Sequence, residues 1–210
     1  LFENVDGLGS FQAHGDTAFL FNLATPSLKI GDVDGDGDLD LLHSGRTDGP
    51  GIGMSPPDKI NWYENTDSWD PVRRSVAFIA DDVMLEDLDG NGTLEAIMTS
   101  DNFVSWCTDI SASTSAEVHE INISSQRSYW NSLNPLFNDL DDDGDLDMLY
   151  YFQRGFSNFT NPAWMFNQDG EGSFGSANDL EDTFGPMELG DMDGDGDVDM
   201  VAIQKDPLRI

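Results

Sequence analysis

Three observations predict an all-β fold. An acidic stretch with glycines, Asp32-Val33-Asp34-Gly35-Asp36-Gly37-Asp38-Leu39-Asp40, returns at 87–95, 139–147 and 191–199, so its starts lie 55, 52 and 52 residues apart. The flanks of these stretches are short apolar runs, such as Leu28-Lys29-Ile30 and Leu146-Asp147-Met148-Leu149-Tyr150, which suit strands and are too short for helices. A second motif lies between the acidic stretches. Leu1-Phe2-Glu3-Asn4-Val5-Asp6-Gly7-Leu8-Gly9-Ser10-Phe11 matches Trp164-Met165-Phe166-Asn167-Gln168-Asp169-Gly170-Glu171-Gly172-Ser173-Phe174, and Trp62-Tyr63-Glu64-Asn65-Thr66-Asp67 begins a third copy. Each reads as a strand, an Asp-Gly turn and a strand opened by Phe.

Two strands around each acidic loop and two around each Asp-Gly turn make four per period. A four-stranded antiparallel unit of about 50 residues, repeated without helices, predicts a β-propeller blade. Residues 1–210 then form one region of about four blades. Two closures stay open: a ring, in which residues 1–4 pair with 198–204 in one blade, or an arc of a larger propeller, in which those strands lack partners in the chain.

The loops carry the chemistry. The first presents Asp32, Asp34, Asp36, Asp38 and Asp40 at positions 1, 3, 5, 7 and 9; the second Asp87, Asp89, Asn91, Thr93 and Glu95. The third presents Asp139, Asp141, Asp143, Asp145 and Asp147, and the fourth Asp191, Asp193, Asp195, Asp197 and Asp199. Hard cations such as Ca²⁺ take six to eight oxygens at about 2.3–2.6 Å, and alternating acids in a tight turn can aim several carboxylates at one centre. Without a cation, two carboxylates about 5 Å apart repel by roughly 3 kcal/mol at an effective dielectric of about 20, so a metal-free loop should open. Gly37, Gly92, Gly144 and Gly196 at position 6 supply the sharp turn. Position 7 varies in type, which points to its backbone carbonyl as the ligand. An EF-hand needs a bidentate Glu at position 12, where this chain has His43, Met98, Tyr150 and Ala202, so the bidentate acid is expected at position 9. Four structural Ca²⁺ ions follow, with the second loop, which has only three acids, binding most weakly.

Between the loops, Trp62, Trp106, Trp164, Phe11 and Phe174 recur at equivalent places and are expected to pack between blades. Ser44 to Asp58, rich in Gly and Pro, should be an exposed loop. Phe152 to Pro162 is an insertion whose Arg154, Phe156 and Phe159 either bind a partner or bury against a neighbouring blade. Ser111-Ala112-Ser113-Thr114-Ser115 replaces the Asp-Gly turn in the second repeat.

The chain has 41 acidic and 9 basic residues, a formal net charge of −32, and the four loops hold 19 of the acids. Four bound Ca²⁺ would leave about −24, a surface that repels nucleic acid, anionic lipid and acidic polysaccharide. Part of that charge also serves solubility. Cys107 is the one cysteine, so no intrachain disulfide forms. Ala18-Phe19-Leu20-Phe21 and Val76-Ala77-Phe78-Ile79-Ala80 are too short to cross a membrane and read as strands. The first residue is Leu1, which reads as a mature or excised piece. Asn91, Asn122 and Asn158 are formal glycosylation acceptors, the first inside a metal loop.

With these residues on the page, the chain resembles the FG-GAP/VCBS repeat family, the calcium-bearing propeller blades of integrin α-subunit heads and of many secreted microbial and algal proteins. Phe174-Gly175 keeps the Phe-Gly part of the family pattern; the Gly-Ala-Pro part is not recognisable, unless Gly185-Pro186 is its remnant. The resemblance implies structural Ca²⁺ at the loop residues named above and a cell-adhesion or binding role outside the cytoplasm, with a protein or glycan ligand, or with further repeats or another chain completing the propeller. The expected function is a non-enzymatic, calcium-stabilised binding or structural module. The alternative is a lectin or the propeller domain of a carbohydrate-active enzyme such as a polysaccharide lyase. Against catalysis, His14, His43 and His119 lie in unrelated places without a paired nucleophile.

Overall fold

The computed structural model describes residues 2–13, 27–45, 59–66, 72–100, 103–110, 117–123, 131–154, 158–159, 162–180 and 183–204. His14, Ala18–Phe21, Ser111–Ser115, Phe156 and most of the 44–58 segment lie outside the described residues.

The fold is all-β and antiparallel. Strands β1 (Phe2–Asn4) and β2 (Phe11–Ala13) form a hairpin. Strands β3 (Leu28–Gly31), β4 (Asp40–Gly45), β5 (Lys59–Glu64) and β6 (Val72–Ile79) form the first four-stranded sheet, in sequence order. Strands β7 (Asp82–Glu86), β8 (Glu95–Ser100), β9 (Phe103–Cys107) and β10 (Val118–Ile121) form the second in the same way. The third contains β11 (Asn131–Asn138), β12 (Asp147–Arg154), β13 (Asn158–Phe159), β14 (Ala163–Met165) and β15 (Asn178–Asp179). Strands β16 (Thr183–Gly190) and β17 (Asp199–Gln204) form a last hairpin.

Every acidic loop joins the first two strands of a sheet. The residue before the loop pairs with its position-9 acid: Gly31 with Asp40, Glu86 with Glu95, Asn138 with Asp147 and Gly190 with Asp199. Position 9 therefore opens the second strand, and Leu39 before it is an exposed loop residue. Two residues further on, an aliphatic side chain pairs with a tryptophan of the next strand: Leu42 with Trp62, Ile97 with Trp106 and Leu149 with Trp164.

Two apolar cores hold the sheets together. Leu42, Ile60 and Trp62 of the first sheet bury against Ala96, Met98 and Cys107 of the second. Ile97, Val104 and Trp106 of the second bury against Met148, Tyr150 and Met165 of the third.

Two expectations need correction. The third repeat has five strands rather than four, because part of the Phe152–Pro162 insertion folds back as β13 onto Gln153 and Arg154. Phe11, expected in the core, is 66% exposed, and Trp164 is only half-buried, although Trp62 and Trp106 are buried. Among the described residues β17 pairs only with β16, and β1 only with β2. Pairing of residues 1–4 with 198–204, which a closed ring requires, is not present among the described residues.

Candidate metal centres

The loops hold their shape by turning backbone N–H groups onto their own carboxylates. The position-6 glycine N–H donates to the position-1 Asp in all four: Gly37 to Asp32 Oδ2 (3.0 Å), Gly92 to Asp87 Oδ2 (2.9 Å), Gly144 to Asp139 Oδ2 (2.9 Å) and Gly196 to Asp191 Oδ2 (3.1 Å). The position-7 N–H donates to the position-5 side chain: Asp38 to Asp36, Thr93 to Asn91, Asp145 to Asp143 and Asp197 to Asp195, at 2.7–3.1 Å. The position-2 N–H donates to the position-9 acid: Val33 to Asp40 (3.3 Å), Leu88 to Glu95 (2.7 Å), Leu140 to Asp147 (3.0 Å) and Met192 to Asp199 (2.9 Å). Such N–H groups offset part of the repulsion that gathered carboxylates impose.

The sequence reading passed over position 4. It is Gly35, Gly90 and Gly194, with φ of 75°, 65° and 81°, and in the third loop it is Asp142 at φ 60°. This is the left-handed region, open to Gly and tolerated by Asp. The signal was present in the sequence, since three of four loops read Asp-x-Asp-Gly.

The carboxylate oxygens that converge within 4.8 Å of one another belong to Asp32, Asp34 and Asp36; Asp87, Asp89 and Glu95; Asp139, Asp141 and Asp147; and Asp191, Asp193 and Asp199. Four acidic clusters thus stand where a metal ion could be held. Asp40 is outside its cluster. Its Oδ2 accepts from Val33 N–H and from the Trp62 indole Nε1–H (3.1 Å), and its Oδ1 accepts from Asn65 N–H (2.8 Å). Asp38, Asp143, Asp145, Asp195 and Asp197 also stand apart from the clusters, as do Asn91 and Thr93, which carry no carboxylate.

Position 9 is capped from the next strand, another feature that sequence reading missed. Asn167 N–H donates to Asp147 Oδ1 at 2.8 Å, as Asn65 N–H does to Asp40. The Asn167 side chain is buried and reaches further: its Nδ2 donates to Leu88 O of the second loop (3.2 Å), and its Oδ1 accepts from Gly172 N–H (3.0 Å). The repeated asparagine of the Asp-Gly motif therefore joins two acidic loops and a turn.

The second loop is chemically distinct. Glu95 is fully buried, and its Oε1 and the Oδ1 of Asp87 are buried without a hydrogen-bond partner. Burial, with the Asp89 and Asp87 charges adding to it against the Leu88 N–H, lifts the Glu95 carboxyl to about 7. Burial likewise raises Asp147, opposed by the Asn167 and Leu140 N–H groups. Unpaired buried carboxylate oxygens cost roughly 1–3 kcal/mol each. A cation among Asp87, Asp89 and Glu95 would satisfy both with hard oxygen donors, so the residues present fit such an ion.

Two of the three histidines are packed. His43 is buried and stacks on Tyr63 at 5.8 Å, and His119 stacks on Trp106 at 4.3 Å. No helix among the described residues is long and apolar enough to cross a membrane. No protein-family model matches the chain, and no curated protein matches it.

Proposed function

We propose that this chain is a calcium-stabilised, non-enzymatic binding or adhesion module of the FG-GAP/VCBS type, built from propeller blades and working outside the cell. One observation carries the calcium reading: Glu95 Oε1 and Asp87 Oδ1 are buried and unpartnered inside a loop whose other three copies also gather carboxylates, the third and fourth at the same positions 1, 3 and 9 and the first at 1, 3 and 5. Oxygen-only donors in a turn suit Ca²⁺ over softer metals. The non-enzymatic reading is supported by the histidine environments, since His43 and His119 are engaged in stacking.

Calorimetric titration should give about four Ca²⁺ per chain, and EGTA should lower the melting temperature. Each ion that binds only the folded state adds about 2.7 kcal/mol at a hundredfold excess over its Kd. An unchanged melting curve in chelator would remove the calcium reading. A glycan and protein-ligand array run beside turnover assays on polysaccharides addresses the rest: capture without turnover supports a binding module, and turnover replaces it with a carbohydrate-active enzyme.

A further inference from the structure

Two of the acidic loops are joined through one side chain. Asn167 lies two residues beyond β14 and is 2% exposed. Its backbone N–H donates to Asp147 Oδ1, position 9 of the third loop (2.8 Å), and its Nδ2 donates to Leu88 O, position 2 of the second (3.2 Å). The N–H of the same Leu88 donates to Glu95 Oε2 at 2.7 Å. An unbroken run of bonded residues, Asp147, Asn167, Leu88 and Glu95, therefore connects the position-9 acid of one loop with that of the other.

A second link lies beside the first. Asn167 Oδ1 accepts from Gly172 N–H (3.0 Å) and so holds the turn that follows. That turn is wedged between the third loop and the second sheet. A Cβ on Gly170, at φ 68°, would lie 2.6 Å from Asp145 Oδ2, and one on Gly172, at φ 81°, would overlap the Trp106 indole. Asp145 is position 7 of loop three, and Trp106 pairs with Ile97, two residues beyond Glu95. Loops one and two differ in chemistry at the corresponding place. By register Trp106 stands in the second sheet where Trp164 stands in the third, so Asp109 takes the place of Asn167. Asp109 is exposed, and an ionised carboxylate has no N–H to donate toward Val33 O, the counterpart of Leu88 O.

Given the calcium reading of these loops, we propose that Asn167 is a positioning residue shared by two ion sites, so that loops two and three take up Ca²⁺ as a coupled pair while loop one binds independently. Each loop has two arrangements, because repulsion among its carboxylates opposes the closed one until a cation neutralises them. Asn167 keeps all its bonds only while both loops are closed. Closing loop three fixes Asp147, which holds the Asn167 backbone; the Asn167 amide holds Leu88, and Leu88 N–H holds Glu95, whose Oε1 is buried without a partner. Asn167 is ordered once and serves both sites, so the second ion binds more tightly than the first. Linkage makes the effect mutual, and a coupling at the lower end of the usual range is about fivefold in affinity.

The amides of Gly37, Gly92 and Gly144 are each bonded to the position-1 Asp of their own loop. In NMR spectra of nitrogen-labelled protein titrated with Ca²⁺ they report loops one, two and three separately. Asp141→Asn disables loop three. The Gly92 midpoint should then rise about fivefold and the Gly37 midpoint should stay. Asn167→Ala keeps the N–H to Asp147 and removes both side-chain bonds; in that background Asp141→Asn should leave the Gly92 midpoint where Asn167→Ala alone puts it. A merely structural residue would weaken binding without abolishing this difference. Should Asn167→Ala fail to fold, the reciprocal substitution decides: Glu95→Gln should raise the Gly144 midpoint by the factor that Asp141→Asn raises that of Gly92. A Gly92 midpoint indifferent to Asp141→Asn, in a chain whose native loops bind calcium, overturns the coupling and leaves the calcium reading standing. A fivefold shift that persists in Asn167→Ala overturns the role of Asn167. Glycine amides that ignore calcium in every loop remove the calcium reading itself, and the coupling with it.

Discussion

Loop two and loop four differ in burial in the opposite sense to their acid counts. Loop four has five acids and loop two has three. Yet Met192 at position 2 of loop four is 69% exposed and Asp199 is half-buried, while Leu88 and Glu95 of loop two are 1% and 0% exposed. Exposed carboxylates are screened by water and cost little when no ion is bound. Buried ones without partners cost a great deal. Counting acids measures how much charge a loop gathers; burial decides how strongly the fold depends on what neutralises it.

The largest contrast should come from removing the position-9 acids in calcium. Glu95→Ala deprives Leu88 N–H of its buried acceptor and an ion of its buried ligand, a loss of about 3 kcal/mol. Asp199→Ala, at the open loop, should stay within about 1 kcal/mol. Urea denaturation of both variants decides the matter, and equal losses would show that acid count governs after all. Asn167→Ala and Asn4→Ala sharpen the same contrast. The first removes the buried bonds to Leu88 O and Gly172 N–H and should cost about 2 kcal/mol. The second removes one exposed bond to Gly9 N–H and should cost about 0.5 kcal/mol or less.

Acidity separates the loops again. The Glu95 carboxyl, at about 7 in the folded metal-free protein, lies above its ordinary value of about 4.3. A raised carboxyl favours the protonated folded form, so its contribution to metal-free stability is complete below about pH 4.3 and is lost as pH rises through about 7. An ion needs the carboxylate, so the gain in melting temperature from calcium should grow between pH 5 and 8. In Glu95→Gln that growth should flatten, while Asp199→Asn should leave it unchanged. Melting curves at four pH values with calcium and with chelator make the comparison.

The loops were legible in the sequence because their chemistry is local: spacing along nine residues fixes which side chains can converge, and the four clusters form where the spacing put them. The pairing of strands around each loop was legible for the same reason. What the sequence did not reveal depends on residues far along the chain. Asn167 reaches back 79 residues to Leu88 O, and Glu95 is fully buried in a sheet that contributes residues to both cores. No period in the sequence distinguishes a buried position 9 from an open one. The exposure of Phe11 and Val201 is equally invisible, because the pattern of both repeats is intact and only the strand pairing, which among the described residues joins β1 to β2 and β16 to β17 alone, sets them apart.

The smallest effect tests local geometry with burial held aside. Position 4 is exposed in loops one, two, three and four alike, and only the third loop places a side chain there at positive φ, at Asp142. A left-handed non-glycine residue costs roughly 1–2 kcal/mol in general, less for Asp, and Asp142 adds another charge to a loop already holding Asp139, Asp141 and Asp143. Asp142→Gly should therefore relieve both strain and repulsion. Against this stands the entropy that a glycine returns to the unfolded chain, about 0.5–1 kcal/mol. In chelator the repulsion is unscreened by any ion, so the balance should favour the variant, by about 0.5 kcal/mol. In calcium the ion already neutralises the loop and the gain should shrink toward zero. Urea midpoints in the two buffers separate these terms: a gain of equal size in both would assign it to backbone strain alone, and a loss in both would show that Asp142 is held at φ 60° without cost.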